Sequence, residues 1–325
     1  MTSPRPIVLT GSIAIDRIMS FGGSYADYLH AEHLDSVSVS IFLDSMQDTH
    51  GGVAANIAYT LSLLGNEPYL LGSVGADGLM YMEQLARRGI NIGHVHESTL
   101  PTASFSVITD KDQNQIGGFY PGAMFDSDSL SLAPWRGQNP LVVVSPHDPK
   151  AMRRQIAEAT DMSFSVCYDI GQQVSNAPPE DILEGIAVAE ILILNDYELS
   201  VLSKRTGLSI ADIHAKVPVV ITTFGPEGSR IDGSSVHNPF SIGVATPTSV
   251  VDPTGAGDAY RAGLCYGYAH GWDLQEAAQL GASCASFAIE TMGTQTHSFD
   301  FPALTNRYFA AFGSRPPFTK VKEQI

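Results

Sequence analysis

Basic residues are scarce in this chain: 18 lysines and arginines face 34 aspartates and glutamates, a formal charge of −16. That balance repels nucleic acid and anionic lipid, so neither is an expected partner, and a negatively charged substrate would have to find local donors. Cysteine is scarcer, with Cys167, Cys265 and Cys284 alone. They lie far apart in apolar surroundings without a Cys-x-x-Cys pair, which reads as buried structural thiols in a reducing compartment. No apolar run approaches the length of a bilayer span, and no basic stretch followed by an apolar one opens the chain, so a cytoplasmic protein is expected. Internal repeats and low-complexity tracts are lacking. So is any Walker A loop, which excludes a lysine set on phosphates in the P-loop manner.

What remains is a chain of 325 residues, 44% hydrophobic, long enough for a large core in one α/β domain with or without a small appendage. From about residue 50 onward short apolar runs alternate with helix-like segments, the pattern of βαβ units and a mainly parallel sheet. A first strand is expected at Ile7 to Gly11, and the clearest strands are Leu141 to Ser145, Phe164 to Ile170, Ile191 to Leu194 and Val219 to Thr223. Helical spacing links Met152, Ile156 and Ala159, and again Ile182, Ile186 and Ala189 after the loop Ala177-Pro178-Pro179. Two segments break this rhythm. Residues 16–48 carry Phe21-Gly22-Gly23 and the alternating run Val37 to Ile41, and residues 102–120 alternate through Phe105 and Val107. Period-two alternation marks strands with one wet face, so both segments are expected in a small antiparallel sheet projecting from the core. Such a sheet can close over a ligand, or be an edge extension of the main one.

The most informative motif is Asp252-Pro253-Thr254-Gly255-Ala256-Gly257-Asp258. Its glycines let backbone N–H groups approach a charged group, and the helix that starts there turns its positive end to the same point. An acid in an anion site suits a base that takes a proton from a hydroxyl attacking a phosphate, which makes Asp258 the candidate. A glycine turn capped by an aspartate is the structural alternative. His50-Gly51-Gly52 precedes a helix with Ile57, Leu61 and Leu64 on one face and Gly65 as its stop, and Asn56 offers a hydroxyl both a donor and an acceptor. Asp16, just past the first strand, stands near the carboxyl edge of the sheet, where open α/β folds bind ligands. Asn195-Asp196-Tyr197-Glu198 reads either as a capping box or as a place where Asn195 and Glu198 attend a hydrated Mg²⁺.

Taken jointly, Asp16, HGGVAAN at 50–56, NDYE at 195–198, TTFGPEG at 222–228 and DPTGAGDAYRAG at 252–263 resemble the PfkB or ribokinase-like family of sugar and nucleoside kinases. The match in order and spacing covers nearly the whole chain. It implies a three-layer α/β/α core with a mainly parallel sheet (1–15, 49–101 and 121–325) and a small β lid (16–48 and 102–120). It also implies transfer of the ATP γ-phosphate to a primary hydroxyl. On this sequence the family pattern makes Asp258 the base and the N–H groups of Gly255, Ala256, Gly257 and Asp258 the anion hole. Ser12, Asp16, Gly52, Asn56, Phe105, Phe119 and Gln173 become the substrate-binding set, with the ribose hydroxyls on Asp16, Gly52 and Asn56. Asn195 and Glu198 organise Mg²⁺ and phosphate, the latter residue through water, while Thr223, Gly225 and Gly228 line the ATP site. Asp252, the Thr254 carbonyl and the loop near Gly293 would hold K⁺. GSIAID at 11–16 and FYPGAM at 119–124 look like the actinobacterial type of adenosine kinase, in which phenylalanines at the places of Phe105 and Phe119 stack on the purine. The pattern has an arginine about where Asn176 stands, a departure that bears on base preference. Edges of an exposed lid sheet could pair with a second copy of the chain.

Overall fold

The structure is a computed structural model and describes residues 4–29, 36 and 38–320. The strands of the main sheet, in chain order, begin with β1 (Ile7–Thr10). Those of the small sheet interrupt at once, with β2 (Ala14–Ser20) and β3 (Ser45–Gly51). Then come α1 (Val53–Leu63), β4 (Tyr69–Val74), α2 (Leu79–Arg87) and β5 (Asn91–Glu97), followed by the small-sheet hairpin β6 (Ala103–Thr109) and β7 (Gln115–Tyr120). A regular alternation follows: β8 (Leu141–Val144), α3 (Pro149–Asp161), β9 (Ser165–Tyr168), α4 (Pro179–Val188), β10 (Ile191–Asn195), α5 (Asp196–Thr206), α6 (Ile210–Lys216) and β11 (Val219–Thr223). An antiparallel pair, β12 (Ser229–Asp232) and β13 (Phe240–Ile242), precedes three closing helices, α7 (Ala256–Ala269), α8 (Leu274–Ala288) and α9 (Phe301–Phe312).

The main sheet has the order β13-β12-β11-β10-β9-β8-β1-β4-β5, parallel from β11 to β5. Its central strands are mostly apolar because both faces are covered, with polar residues at their ends. Alternation sorts their side chains: Ile7, Leu9, Leu141, Val143, Ile191 and Ile193 join the core under α1, α2, α7, α8 and α9. Val8, Val142, Val144, Leu192 and Leu194 face α3 to α6, where Met152, Ile156, Ile182, Ile186 and Leu202 meet them. The three cysteines are buried and free. Among the described residues no helix is long and apolar enough to cross a membrane.

Because β1 pairs with β4 on one side and β8 on the other, the chain reverses its direction of travel across the sheet there, and a crevice opens at the carboxyl ends of β1 and β8. The second sheet, β3-β2-β6-β7, stands over that crevice. It reaches past the expected lid limits, since β2 starts at Ala14 and β3 runs to Gly51. The alternating run 37–41 is not the strand expected of it. Val37 lies outside the described residues, and Ser38 to Ile41 have no regular structure. Instead, β2 pairs antiparallel with β3, in unbroken register from Ala14 opposite Gly51 to Ser20 opposite Ser45, and parallel with β6, so the small sheet is mixed rather than antiparallel as expected. The β3 residues Ser-Met-Gln-Asp-Thr-His are solvated on both faces along much of their length, so no buried face imposes an alternation the sequence could display.

Candidate active site

Two cavities meet at the N-terminus of α7. The first, about 420 Å³, lies between the β11–β12 turn and α7–α8; Thr223, Gly225 and Gly228 line it, with an apolar wall of Val244, Ala245, Val250 and Ile289. The second, about 500 Å³, lies beneath the small sheet, and the substrate-binding set expected from the sequence converges on it: Ser12, Asp16, Gly52, Asn56, Phe105, Phe119 and Gln173. Ala256 and Gly257 border the first cavity, Gly255 and Asp258 the second. The start of α7 is therefore the partition between them.

The local sequence explains why that partition can bind an anion. Helices α3, α5, α8 and α9 are capped by the side chains of Asp148, Asn195, Asp273 and Asp300. At α1 and α7, which both open on the site, the N-cap is glycine and makes no side-chain bond. Gly255 takes φ +82°, a left-handed conformation that glycine adopts without strain; of the first-turn N–H groups, that of Ala256 donates to the Pro253 carbonyl at 3.2 Å, and the others meet no side-chain cap. Gly52 has φ +94°, and a Cβ there would come within 2.5 Å of the Ser12 carbonyl oxygen. The backbone of the crevice thus passes closer than any side chain allows. The Ser12 hydroxyl accepts the Val53 N–H at 2.9 Å, doing for α1 what its cap cannot.

Asp258, in the first turn of α7, accepts a 2.8 Å hydrogen bond from Asn56 Nδ2. The amide is oriented from behind: Asn56 Oδ1 accepts from the Thr294 hydroxyl at 2.9 Å and from Gln295 Nε2 at 2.8 Å, so its NH₂ must face the acid. Burial pushes the Asp258 carboxyl above its ordinary value, while Arg261 and then Asn56 pull it back. Asp16 is pushed up to about 6, first by burial and then by the charge of Asp258. The small sheet places Asp16 directly opposite Phe105 on β6, and Phe105 opposite Phe119 on β7. Directly paired residues share a face, so a carboxylate and two rings form one row over the cavity.

The other expected residues divide. Asn195 and Glu198 do form a capping box, with the Glu198 N–H donating to Asn195 Oδ1 and the Asn195 N–H to Glu198 Oε2, both at 2.8 Å. Glu198 also borders the second cavity, whereas Asn195 borders neither. Asp252 ties its loop together, accepting the Thr254 N–H through Oδ1 and the Gly293 N–H through Oδ2, each at 2.9 Å. Gln173 donates to the His147 carbonyl at 2.8 Å, which leaves its buried Oε1 as an acceptor without a protein partner. Asn176 lines the same cavity. Four residues went unnoticed in the sequence. Arg261 is part of the DPTGAGDAYRAG motif one turn beyond Asp258, and Asp169 directly follows a buried parallel strand, so both carried a signal; Thr294 and Gln295, in a loop, carried none.

A doubly covered parallel sheet, an uncapped helix start between two cavities and an acid beside it define a phosphotransferase with an alcohol group as acceptor. The chain belongs to the PfkB family: residues 16–300 match the pfkB family carbohydrate kinase domain. It is 32% identical over 324 residues to the nucleoside kinase of Methanothermobacter thermautotrophicus, covering 98% of this chain and 100% of that one. Among solved structures, the nucleoside kinase of Burkholderia thailandensis in complex with inosine superposes with a TM-score of 0.86 at 30% identity, over 95% of this chain and 100% of that one. The nucleoside kinase of Methanocaldococcus jannaschii gives 0.84 at 29% identity, again over 95% and 100%. The ribokinase-like fold with its separate small sheet is common to these proteins.

Proposed function

We propose that this protein is an ATP-dependent nucleoside kinase that transfers the γ-phosphate to the 5′-hydroxyl of a purine nucleoside, adenosine foremost. The observation that carries this reading is the row of Asp16, Phe105 and Phe119 across three strands above Asp258. Asp16 accepts from adjacent ribose hydroxyls, and the rings take the base between them by stacking. Relatives named nucleoside kinase, one of them solved with inosine, support the same class of acceptor. The nucleoside enters the second cavity with its 5′-oxygen toward Asp258. ATP lies in the first, its base along the apolar wall and its γ-phosphate at the start of α7. Asp258 removes the hydroxyl proton as the oxygen attacks phosphorus in line, and the N–H groups of Gly255, Gly257 and Asp258 receive the charge on the transferred group, joined by that of Ala256 once it leaves the Pro253 carbonyl. The small sheet shuts water out.

Glu198, with one oxygen in the capping box and its carboxylate beside the cavity, fits a hydrated Mg²⁺, which is commonly held through one or two carboxylates and the phosphates themselves. Bound there, Mg²⁺ would neutralise phosphate charge. The loop that Asp252 ties to Thr254 and Gly293 is our site for K⁺. The exposed Met46 on edge strand β3 and Ile116 on β7 support pairing with a second copy of the chain through the lid. Coupled ADP release from Mg-ATP across adenosine, inosine, guanosine, cytidine, ribose and fructose tests the reading. Adenosine well ahead of the free sugars upholds it. Preference for ribose or fructose would make the protein a sugar kinase, and nucleoside binding with no turnover a binding regulator.

A further inference from the structure

One turn along α7 from Asp258, Arg261 reaches back over it, with Nη1 3.8 Å from Asp258 Oδ1. The same guanidinium is gripped from the other side by Asp169: Nε lies 2.7 Å from Oδ2, and Nη2 donates to Oδ1 at 2.8 Å. Asp169 is fully buried just past β9, and its backbone N–H is anchored to the Val144 carbonyl at 2.9 Å. One hydrogen bond, from Nη2, and the short Nε–Oδ2 charge contact, which lacks hydrogen-bond alignment, hold the guanidinium on Asp169 and leave Nη1 toward Asp258. Buried ion pairs add little to stability against the cost of dehydrating both charges, so stability alone does not account for this arrangement.

We infer that Arg261, clamped by Asp169, is a positioning residue that fixes the orientation of Asp258 and keeps it in the anionic, proton-accepting form. This rests on Asp258 being the base. The groups that act on its carboxylate come from five elements: Asp16 from β2, Asn56 from α1, Asp169 after β9, Glu198 from α5 and Arg261 from α7 itself. Of these, Arg261 alone is a cation. Without it, four carboxylates share a site shielded from water, where repulsion and burial both favour the protonated base. The direction of the Arg261 effect on Asp258 agrees, for it is the largest influence opposing burial.

The test is the pH dependence of single-turnover phosphoryl transfer from about pH 5 to 9, at saturating Mg-ATP and adenosine. Wild type is compared with Arg261→Gln, Arg261→Lys and the double variant Asp169→Asn with Arg261→Gln. The double variant removes the unpaired buried carboxylate that the single change leaves, so it keeps the test open if Arg261→Gln does not fold. Both glutamine-bearing proteins should show the acid limb of the rate moved up by about one unit or more. Below the limb the rate then falls about tenfold or more per unit of displacement, and recovers toward pH 9. Arg261→Lys should return the limb most of the way to its wild-type position, and the KM for ATP should change little throughout. A loss that is the same at every pH, or a limb that does not move, overturns the inference. Asp258→Asn separates the two claims. If it is inactive while the limb of Arg261→Gln stays in place, the positioning role fails and the base assignment stands; if it turns over normally, the base assignment itself fails.

Discussion

Phe105→Ala and Phe119→Ala ask what occupies the space above Asp16. The rings are 39% and 50% exposed, so each keeps a large face free rather than spending it on lid packing. Phe105 leans over Gly117, where a Cβ would come within 3.0 Å of its ring, and so has a defined seat on the sheet without being enclosed by it. Removing a ring that is half in water costs the fold little, since the hydrophobic contribution follows the area actually buried. Removing it from beneath a base costs about 1–3 kcal/mol per stacked base. At a tenfold change per 1.4 kcal/mol, that is a rise of about 5- to 150-fold in KM for a purine nucleoside. The assay is coupled ADP release at saturating Mg-ATP, with adenosine and ribose titrated in parallel. For adenosine, kcat should stay within a few-fold of wild type while KM climbs; for ribose, which has nothing to stack, KM should hardly change. Equal losses on both acceptors, or a marked fall in melting temperature of the unliganded protein, would refute the stacking role and return both rings to lid packing.

Two further results are expected. Gly225 and Gly228 both have positive φ, but a Cβ on Gly225 meets nothing, whereas one on Gly228 would lie 2.1 Å from the Ile242 carbonyl oxygen. Gly225→Ala should therefore cost about 1–2 kcal/mol in thermal unfolding with near-normal KM for ATP, while Gly228→Ala should displace the end of β13 and the Val244–Ala245 wall that follows it, and lose ATP affinity outright. Asp16 gives a pH signature of definite sign. Its carboxyl, held at about 6 in the folded chain against 3.8 ordinarily, favours folding fully below pH 3.8 and loses that contribution as pH rises through about 6. Asp16→Asn should thus match wild-type stability near pH 4 and exceed it by up to about 3 kcal/mol at pH 8, read by denaturant unfolding. Only the ionised acid accepts two hydroxyls, so the wild-type KM for nucleoside should rise as pH falls below about 6, and Asp16→Asn should flatten that rise at a uniformly high KM.

Much of this was legible because it is local. Val219–Thr223 is read from its own five letters, Val-Val-Ile-Thr-Thr, since a strand buried on both faces is rich in β-branched and apolar residues. The capping box of Asn195 and Glu198 is written within one turn, as is the glycine start of α7. The strand β3 was not legible, because the ladder with β2 that holds it is made by backbone, and its polar side chains say nothing of pairing. Nor was the support behind Asn56, whose partner Thr294 is 238 residues away. Asp169 and Arg261 could be seen singly, yet their clamp joins residues 92 apart and exists only once β9 and α7 are packed against each other. Sequence thus supplied the groups that face the two cavities, and folding supplied the groups that hold them.

The central claim is that Asp258 is the base of phosphoryl transfer. Its most direct test is the turnover of Asp258→Asn with Mg-ATP and adenosine, beside nucleoside affinity measured by calorimetry. General base catalysis contributes about 10²- to 10⁴-fold, so kcat should fall by at least that range. Affinity should stay within a few-fold, because the amide still offers the hydroxyl an acceptor. An Asp258→Asn enzyme with near-normal turnover would contradict the account.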